Sequence, residues 1–240
     1  MTPYYDDGQV VIYHGDCRDV LPGIDVPDGS TMLCDPPYGH SYESNHPRRH
    51  GAPRSIANDA DTSVREAIVE WWAGRGPALI FGSWKRPRPA ATKGVLVWDK
   101  GGALGSGDLS LPWKFDHEEV YVLGGPWAGR RDCGSVLRHP PVQAVGRSHP
   151  NEKPVGLMSK LLAKTPGGLV VDPCSGVGPV LEAAKSRGRR AIGIELSERY
   201  CEIAARRLAQ GTLDLGDGPR HVGDVLGEWA AANGRNRRVP

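Results

Sequence analysis

Short apolar runs rich in β-branched residues recur along the chain at 10–13, 31–34, 78–81, 95–98, 120–123, 169–171 and 191–194. Each is too short for a helix and reads as a strand, which gives seven. Between several of them the period changes. Over 63–74, Val64, Ala67, Ile68, Trp71 and Trp72 fall on one face at helical spacing. Leu157, Met158, Leu161 and Leu162 predict a second helix in the same way, and Tyr200, Ile203, Ala204 and Leu208 a third. Strands alternating with helices predict an α/β fold, a mostly parallel sheet covered on both faces that binds ligands beyond the carboxyl ends of its strands. At 240 residues the chain suits one domain.

Two stretches break this rhythm. Residues 39–62 and about 124–152 have no period and are rich in Gly, Pro and Arg. Loops of that length inside a compact chain are as a rule functional or disordered.

Composition narrows the class. With 39% hydrophobic and 24% charged residues, no apolar run long enough for a bilayer and no signal-peptide pattern at its start, the chain reads as a soluble cytoplasmic protein. A net charge of +2 selects no polyanionic partner, but its distribution is uneven. Arg outnumbers Lys by 22 to 8 and gathers at 46–55, at 128–149 and in the tail. Planar guanidinium groups suit phosphates and base edges, although a solvated Arg-rich surface accounts for the same counts. The five cysteines show neither CxxC pairing nor a His at zinc-ligand spacing, so reduced thiols and no metal site are expected.

Two segments carry chemistry. In 169–200 a strand ends at Asp172, a turn with Gly176 and Gly178 follows, a helix opens near Pro179, and a further strand ends at Glu195. Glycine lets backbone approach a ligand, and an acid at the second strand end can take both ribose hydroxyls of a nucleoside. The string "DPCSGVGPV" lacks the third glycine of a pyrophosphate cradle, so its spacing better suits a cofactor without phosphates. The second segment is "DPPY" at 35–38, directly after an apolar strand. Pro36 and Pro37 stiffen the loop and remove two donors, leaving carbonyls free beside the Asp35 carboxylate, with the Tyr38 ring next to them. Those parts suit a flat base carrying an amino group. Stacking on Tyr38 is worth about 1 to 3 kcal/mol, comparable with the cost of flipping a base from a duplex.

At this point the chain resembles the S-adenosylmethionine-dependent amino-methyltransferases of DNA, in the arrangement where the catalytic motif precedes the cofactor motif, termed the beta-class order. "DPPY" looks like their catalytic motif, "HPNEKP" at 149–154 like the segment leading into the cofactor half, and "DPCSGVG" at 172–178 like their "DPFxGSG". "RRAIGIELSERYCEIAARRL" resembles the strand and helix that follow, and "YHGDCRDVL" at 13–21 the first segment. Cys174, Val177 and Pro179 depart from the family's usual residues. Cys174 lies in the cofactor turn and off the catalytic loop, which speaks against the nucleophilic cysteine of carbon-methylating enzymes.

The resemblance implies a Rossmann-like seven-stranded methyltransferase sheet. It implies S-adenosylmethionine held by Asp16, Asp35, Lys153, Asp172, Cys174, Ser175, Gly176, Gly178, Glu195 and Leu196, and catalysis by Asp35, Pro36, Pro37 and Tyr38. Double-stranded DNA is the implied substrate, with a cognate restriction endonuclease as a further partner. Recognition is expected from an insertion at about 99–150, with 39–62 as a mobile loop. The candidate DNA contacts are Arg48, Arg49, Arg54, Arg130, Arg131, Arg138 and Arg147. Adenine is the expected target because "DPPY" is more usual in adenine enzymes. The alternatives are cytosine amino-methylation on the same fold, a protein glutamine methyltransferase with a related "NPPY" loop, and an inactive DNA-binding homologue.

Overall fold

The structure, a computed structural model, describes residues 1–41, 55–102, 110–142 and 152–210. Nine strands form one sheet in the order β1-β2-β9-β8-β3-β4-β6-β5-β7. The strands are β1 (Tyr5–Asp6), β2 (Val10–His14), β3 (Thr31–Cys34), β4 (Ala78–Gly82), β5 (Gly94–Asp99), β6 (His117–Leu123), β7 (Val136–Arg138), β8 (Val170–Asp172) and β9 (Ala191–Glu195). All seven expected strands are present. The count of seven is corrected to nine by two short edge strands, β1 and β7, whose two and three residues are too few to stand out in the sequence. β2, β9, β8, β3 and β4 run parallel, whereas β6 is antiparallel to both its neighbours.

The near-continuous apolar strands follow from burial on both faces. Leu33, Leu79 and Phe81 point to one side, where they meet α3 (Val155–Leu162), α4 (Pro179–Ser186) and α5 (Glu198–Ala209). Met32, Cys34 and Ile80 point to the other, against α1 (Cys17–Val20) and α2 (Ser63–Trp72). The period-3.6 reading of α2 holds, with Val64, Ile68 and Trp72 buried one turn apart. On α5 the buried set is Tyr200, Cys201, Ala204 and Leu208, so Cys201 takes the core position expected of Ile203.

The chain order reverses between β8 and β3. β4 lies on one side of β3, and β8 and β9 on the other, which makes the β3/β8 boundary the switch point of the sheet. The two chemistry-bearing segments leave the sheet there, "DPPY" after β3 and "DPCSGVG" from the end of β8. Residues 99–150 enclose β6, a strand integral to the sheet between β4 and β5, so an insertion in this range is confined to the flanks of that strand. Most of the loop expected at 39–62 lies outside the described residues.

Candidate active site

At the switch point a cavity of about 720 Å³ opens between the ends of β3, β8 and β9. Asp16, Asp35, Pro36, Pro37, Tyr38, Lys153, Asp172, Cys174, Ser175, Gly176, Glu195 and Leu196 all line it. Of the expected cofactor and catalytic residues, Gly178 alone is absent from the lining. It precedes α4 in the left-handed conformation at φ 83°, and a Cβ there would meet Ala204 at 3.1 Å. It shapes the turn and seats it on α5. Gly193 on β9 does similar work from beneath, because a Cβ would meet Leu181 at 2.6 Å and the Ser175 Oγ at 2.9 Å.

The cofactor half is organised around Glu195. The Gly176 N–H donates to one carboxylate oxygen at 2.8 Å and the Ser197 N–H to the other at 2.7 Å. Each oxygen keeps a lone pair, so the carboxylate is held in orientation and can still accept from a ligand hydroxyl. Burial pushes the Glu195 carboxyl up, against the pull of these N–H groups. Asp172, also buried, is pushed well above its ordinary value, while its side chain accepts from the Cys174 N–H. Asp16, also in the lining, caps α1 and binds the Arg18 guanidinium.

The half of the cleft around "DPPY" is a network of four charges and one hydroxyl. The Lys153 ammonium lies 2.6 Å from Asp35 Oδ2 and 3.1 Å from Glu118 Oε2. Tyr38 sets its hydroxyl 2.8 Å from Asp35 Oδ1 and 2.8 Å from Glu118 Oε2, while Lys100 closes the far side at 2.5 Å from Glu118 Oε1. Two carboxylates and two ammonium groups balance, which is what permits four charges in a largely buried cluster. Burial pushes the Asp35 carboxyl up, with the Lys153 charge pulling it down and the Glu118 charge adding to the rise. For Glu118 burial is opposed and outweighed by Lys153 and Lys100, which hold it low. Burial would lower Lys153, but Asp35 and Glu118 keep it high and charged.

The "DPPY" loop is clasped from outside. The Gly39 N–H donates to Asp59 Oδ1 at 2.7 Å, the Ser41 N–H to the Asp59 carbonyl at 2.6 Å, and the Arg86 guanidinium to the Gly39 carbonyl. A Cβ on Gly39, at φ 76°, would meet the Asp61 backbone at 2.7 Å, so this close approach requires glycine.

Glu118 and Lys100 were not among the expected residues, and Lys153, expected at the cofactor, reaches the Asp35 and Glu118 carboxylates. Among the expected DNA contacts, Arg130, Arg131 and Arg138 are exposed and lie away from the cleft, with Arg138 paired to Asp99 at 2.8 Å. Arg48, Arg49, Arg54 and Arg147 lie outside the described residues. Among the described residues no cluster suited to a metal ion occurs, and no helix is long and apolar enough to cross a membrane.

Comparison with known proteins places this geometry. Residues 111–206 match the family model described as DNA methylase of the N6/N4 type. The putative methylase YubD of Escherichia coli K12 is 29% identical over 215 residues, covering 81% of this chain and 88% of that protein. Among solved structures, the M1.HpyAVI–SAM complex is similar at a TM-score of 0.61 and 20% identity, covering 82% of this chain and 99% of that one. PvuII DNA methyltransferase, a cytosine-N4-specific enzyme, is similar at 0.67 and 14%, covering 94% and 93%. Likeness at such low identity carries the fold, a Rossmann-like mixed sheet shared with DNA methyltransferases.

Proposed function

We propose that the chain is an amino-methyltransferase of DNA of the N6/N4 type, which transfers a methyl group from S-adenosylmethionine to the exocyclic amine of an adenine flipped out of duplex DNA. The observation that carries this reading is that Asp35, Pro36 and Tyr38 line the same cavity as Glu195 and Gly176. Amine-gripping and nucleoside-binding groups therefore share one space.

The residues fit the cofactor. Glu195, oriented by two backbone N–H groups, suits the ribose hydroxyls, Gly176 permits close approach, and Asp16 lines the same cavity. When bound, S-adenosylmethionine supplies an electrophilic methyl group. The rest falls to the chain. Asp35 and the Pro36 carbonyl accept the two hydrogens of the target amine, favouring a pyramidal nitrogen and stabilising the positive charge that grows on it. The amine must then lose a proton. Asp35 is the acid closest to that task, and burial has already raised its affinity for a proton. Tyr38 stacks on the base while its hydroxyl, tied to Asp35 and Glu118, fixes the ring.

Adenine is favoured over cytosine because an aspartate opens the motif, as is more usual in adenine enzymes, and because a purine offers Tyr38 the larger face. Arg130 and Arg131, in the loop after β6, and Arg138, on β7, are assigned to the DNA backbone or base edges. The test is to incubate the protein with S-adenosylmethionine and duplex DNA, digest to nucleosides and weigh them. Methyl on the adenine amine is expected. Methyl only on the cytosine amine would overturn the choice of base, and methyl on neither would overturn the reading itself.

A further inference from the structure

A second, smaller cavity of about 190 Å³ adjoins the first and shares Tyr38, His40 and Glu118 with it. Its outer wall is aromatic. Trp84 follows β4 and Phe115 precedes β6, and the antiparallel pairing of those strands sets Gly82 opposite Glu119 and so brings both rings to the same end of the two strands. The ring centroids are 5.3 Å apart at a tilt of 43°. Both are about half exposed, at 50% and 49%, and Trp113 and Leu111 on the same segment as Phe115 are exposed as well. Single exposed apolar residues need no explanation, but two large rings in contact at the mouth of an active-site cleft do.

Cations border the pair, beside the acids Asp116 and Glu118. The Lys85 ammonium lies 5.7 Å from the Trp84 ring centroid, and Lys114 and Arg86 flank the pair in sequence. The Asp116 carboxylate accepts from the Gly102 N–H at 2.6 Å and keeps its charge, as Glu118 does between Lys100 and Lys153. Cations interleaved with exposed rings suit a single nucleic-acid strand, whose bases stack and whose phosphates need counter-charge. A protein partner of apolar character would gain nothing from the lysines.

We infer that Trp84 and Phe115 form a stacking site for a nucleobase next to the target base on the same DNA strand, holding that strand at the mouth of the cleft while the target occupies it. The inference rests on the DNA reading above and adds to it a site that neither the catalytic motif nor the cofactor turn supplies. Because every base has a stacking face, the site acts without a recognition sequence.

That property sets the experiment. Binding of a fluorescein-labelled 12-nucleotide thymidine oligonucleotide is followed by anisotropy at low salt for the wild-type protein, Trp84→Ala, Phe115→Ala and Trp84→Phe. Melting temperature, S-adenosylmethionine affinity and wild-type methyl transfer to duplex DNA are measured alongside. Each alanine variant should weaken oligonucleotide binding by at least about tenfold with cofactor affinity unchanged, and Trp84→Phe should stay within about threefold of wild type. Unchanged binding in both alanine variants, or no binding by wild type, overturns the stacking site. So does a wild-type dimer that the alanine variants dissolve, since the rings would then serve a second copy of the chain. If wild type methylates DNA while the variants bind normally, the stacking site alone has failed. If it methylates no DNA, the failure lies with the proposed function.

Discussion

Lys153 places its ammonium 2.6 Å from the Asp35 carboxylate, so a buried donor already holds the contact that a target amine is expected to make. The carboxylate is thereby oriented before any base arrives, which is preorganisation in the sense that matters for catalysis. Glu118 has a complementary part. At 3.1 Å from the same ammonium it offers Lys153 a second partner, so an incoming amine can share Asp35 without stranding a buried charge.

Division of labour between the two halves of the cleft gives the first prediction. Asp35→Ala removes the amine acceptor and leaves Lys153 with Glu118, so the fold should survive. Methyl transfer should fall by about two to three orders of magnitude, as for loss of one preorganised transition-state contact. Calorimetry should find S-adenosylmethionine affinity little changed. Lost cofactor binding in a folded variant would instead assign Asp35 to the cofactor.

The acid limb of the pH–rate profile gives the second. Asp35 can take the proton of the amine only when ionised, so activity should rise with pH through its titration, above the ordinary aspartate range because burial raises it. Lys153→Met removes the charge that opposes that rise, and the limb should move to higher pH. Glu118→Gln removes a negative neighbour that adds to it, and the limb should move to lower pH. Single-turnover rates across pH read both shifts, and displacement of the two limbs in the same direction would exclude Asp35 as the titrating group.

How much of this was legible in the sequence depended on distance along the chain. Asp35 and Tyr38 stand three residues apart behind an apolar strand, and Glu195 closes a βαβ unit, so local spacing sufficed for both. Glu118 meets Tyr38 across 80 residues, on an antiparallel strand inside a stretch read as a recognition insertion. No local pattern separates it from its neighbour Glu119, which alternation turns to the opposite face to bind Arg88. Lys153 was legible as a site residue but its partners were not, because they come from β3 and β6. Trp84 and Phe115 are single rings in separate loops, and only the β4/β6 pairing brings them together.

Gly193 supports the third prediction. A methyl group there would enter the space held by Leu181 and Ser175, under the cofactor turn. Gly193→Ala should therefore cost about 1 to 3 kcal/mol of stability through overpacking, seen in denaturant unfolding, and should weaken cofactor binding as well. A variant as stable as wild type would mean the turn yields without cost.

Glu195 supports the fourth. The Gly176 and Ser197 N–H groups orient both of its oxygens toward one task. Glu195→Gln keeps the size but replaces one acceptor with a donor, which faces an N–H and cannot accept from a hydroxyl. S-adenosylmethionine should bind at least about tenfold more weakly, as for loss of a charged hydrogen bond. Equal affinity would move the ribose contact elsewhere in the cleft.

Tyr38 separates stacking from hydrogen bonding and supports the last prediction. Its ring is the proposed stacking face, and its hydroxyl lies 2.8 Å from both Asp35 and Glu118. Tyr38→Phe keeps the face and frees the two carboxylates, each of which still has Lys153 as a partner. Tyr38→Trp keeps a face with altered reach, and Tyr38→Ala removes it. Stacking of about 1 to 3 kcal/mol predicts at least about tenfold loss for the alanine variant, seen as weaker capture of DNA carrying 2-aminopurine at the target position. The phenylalanine and tryptophan variants should retain substantial activity, with any deficit in the phenylalanine variant confined to the chemical step because its carboxylates have lost a positioning contact. Equal loss in all three would make the hydroxyl the principal contribution of Tyr38 and leave the base to be held by other groups.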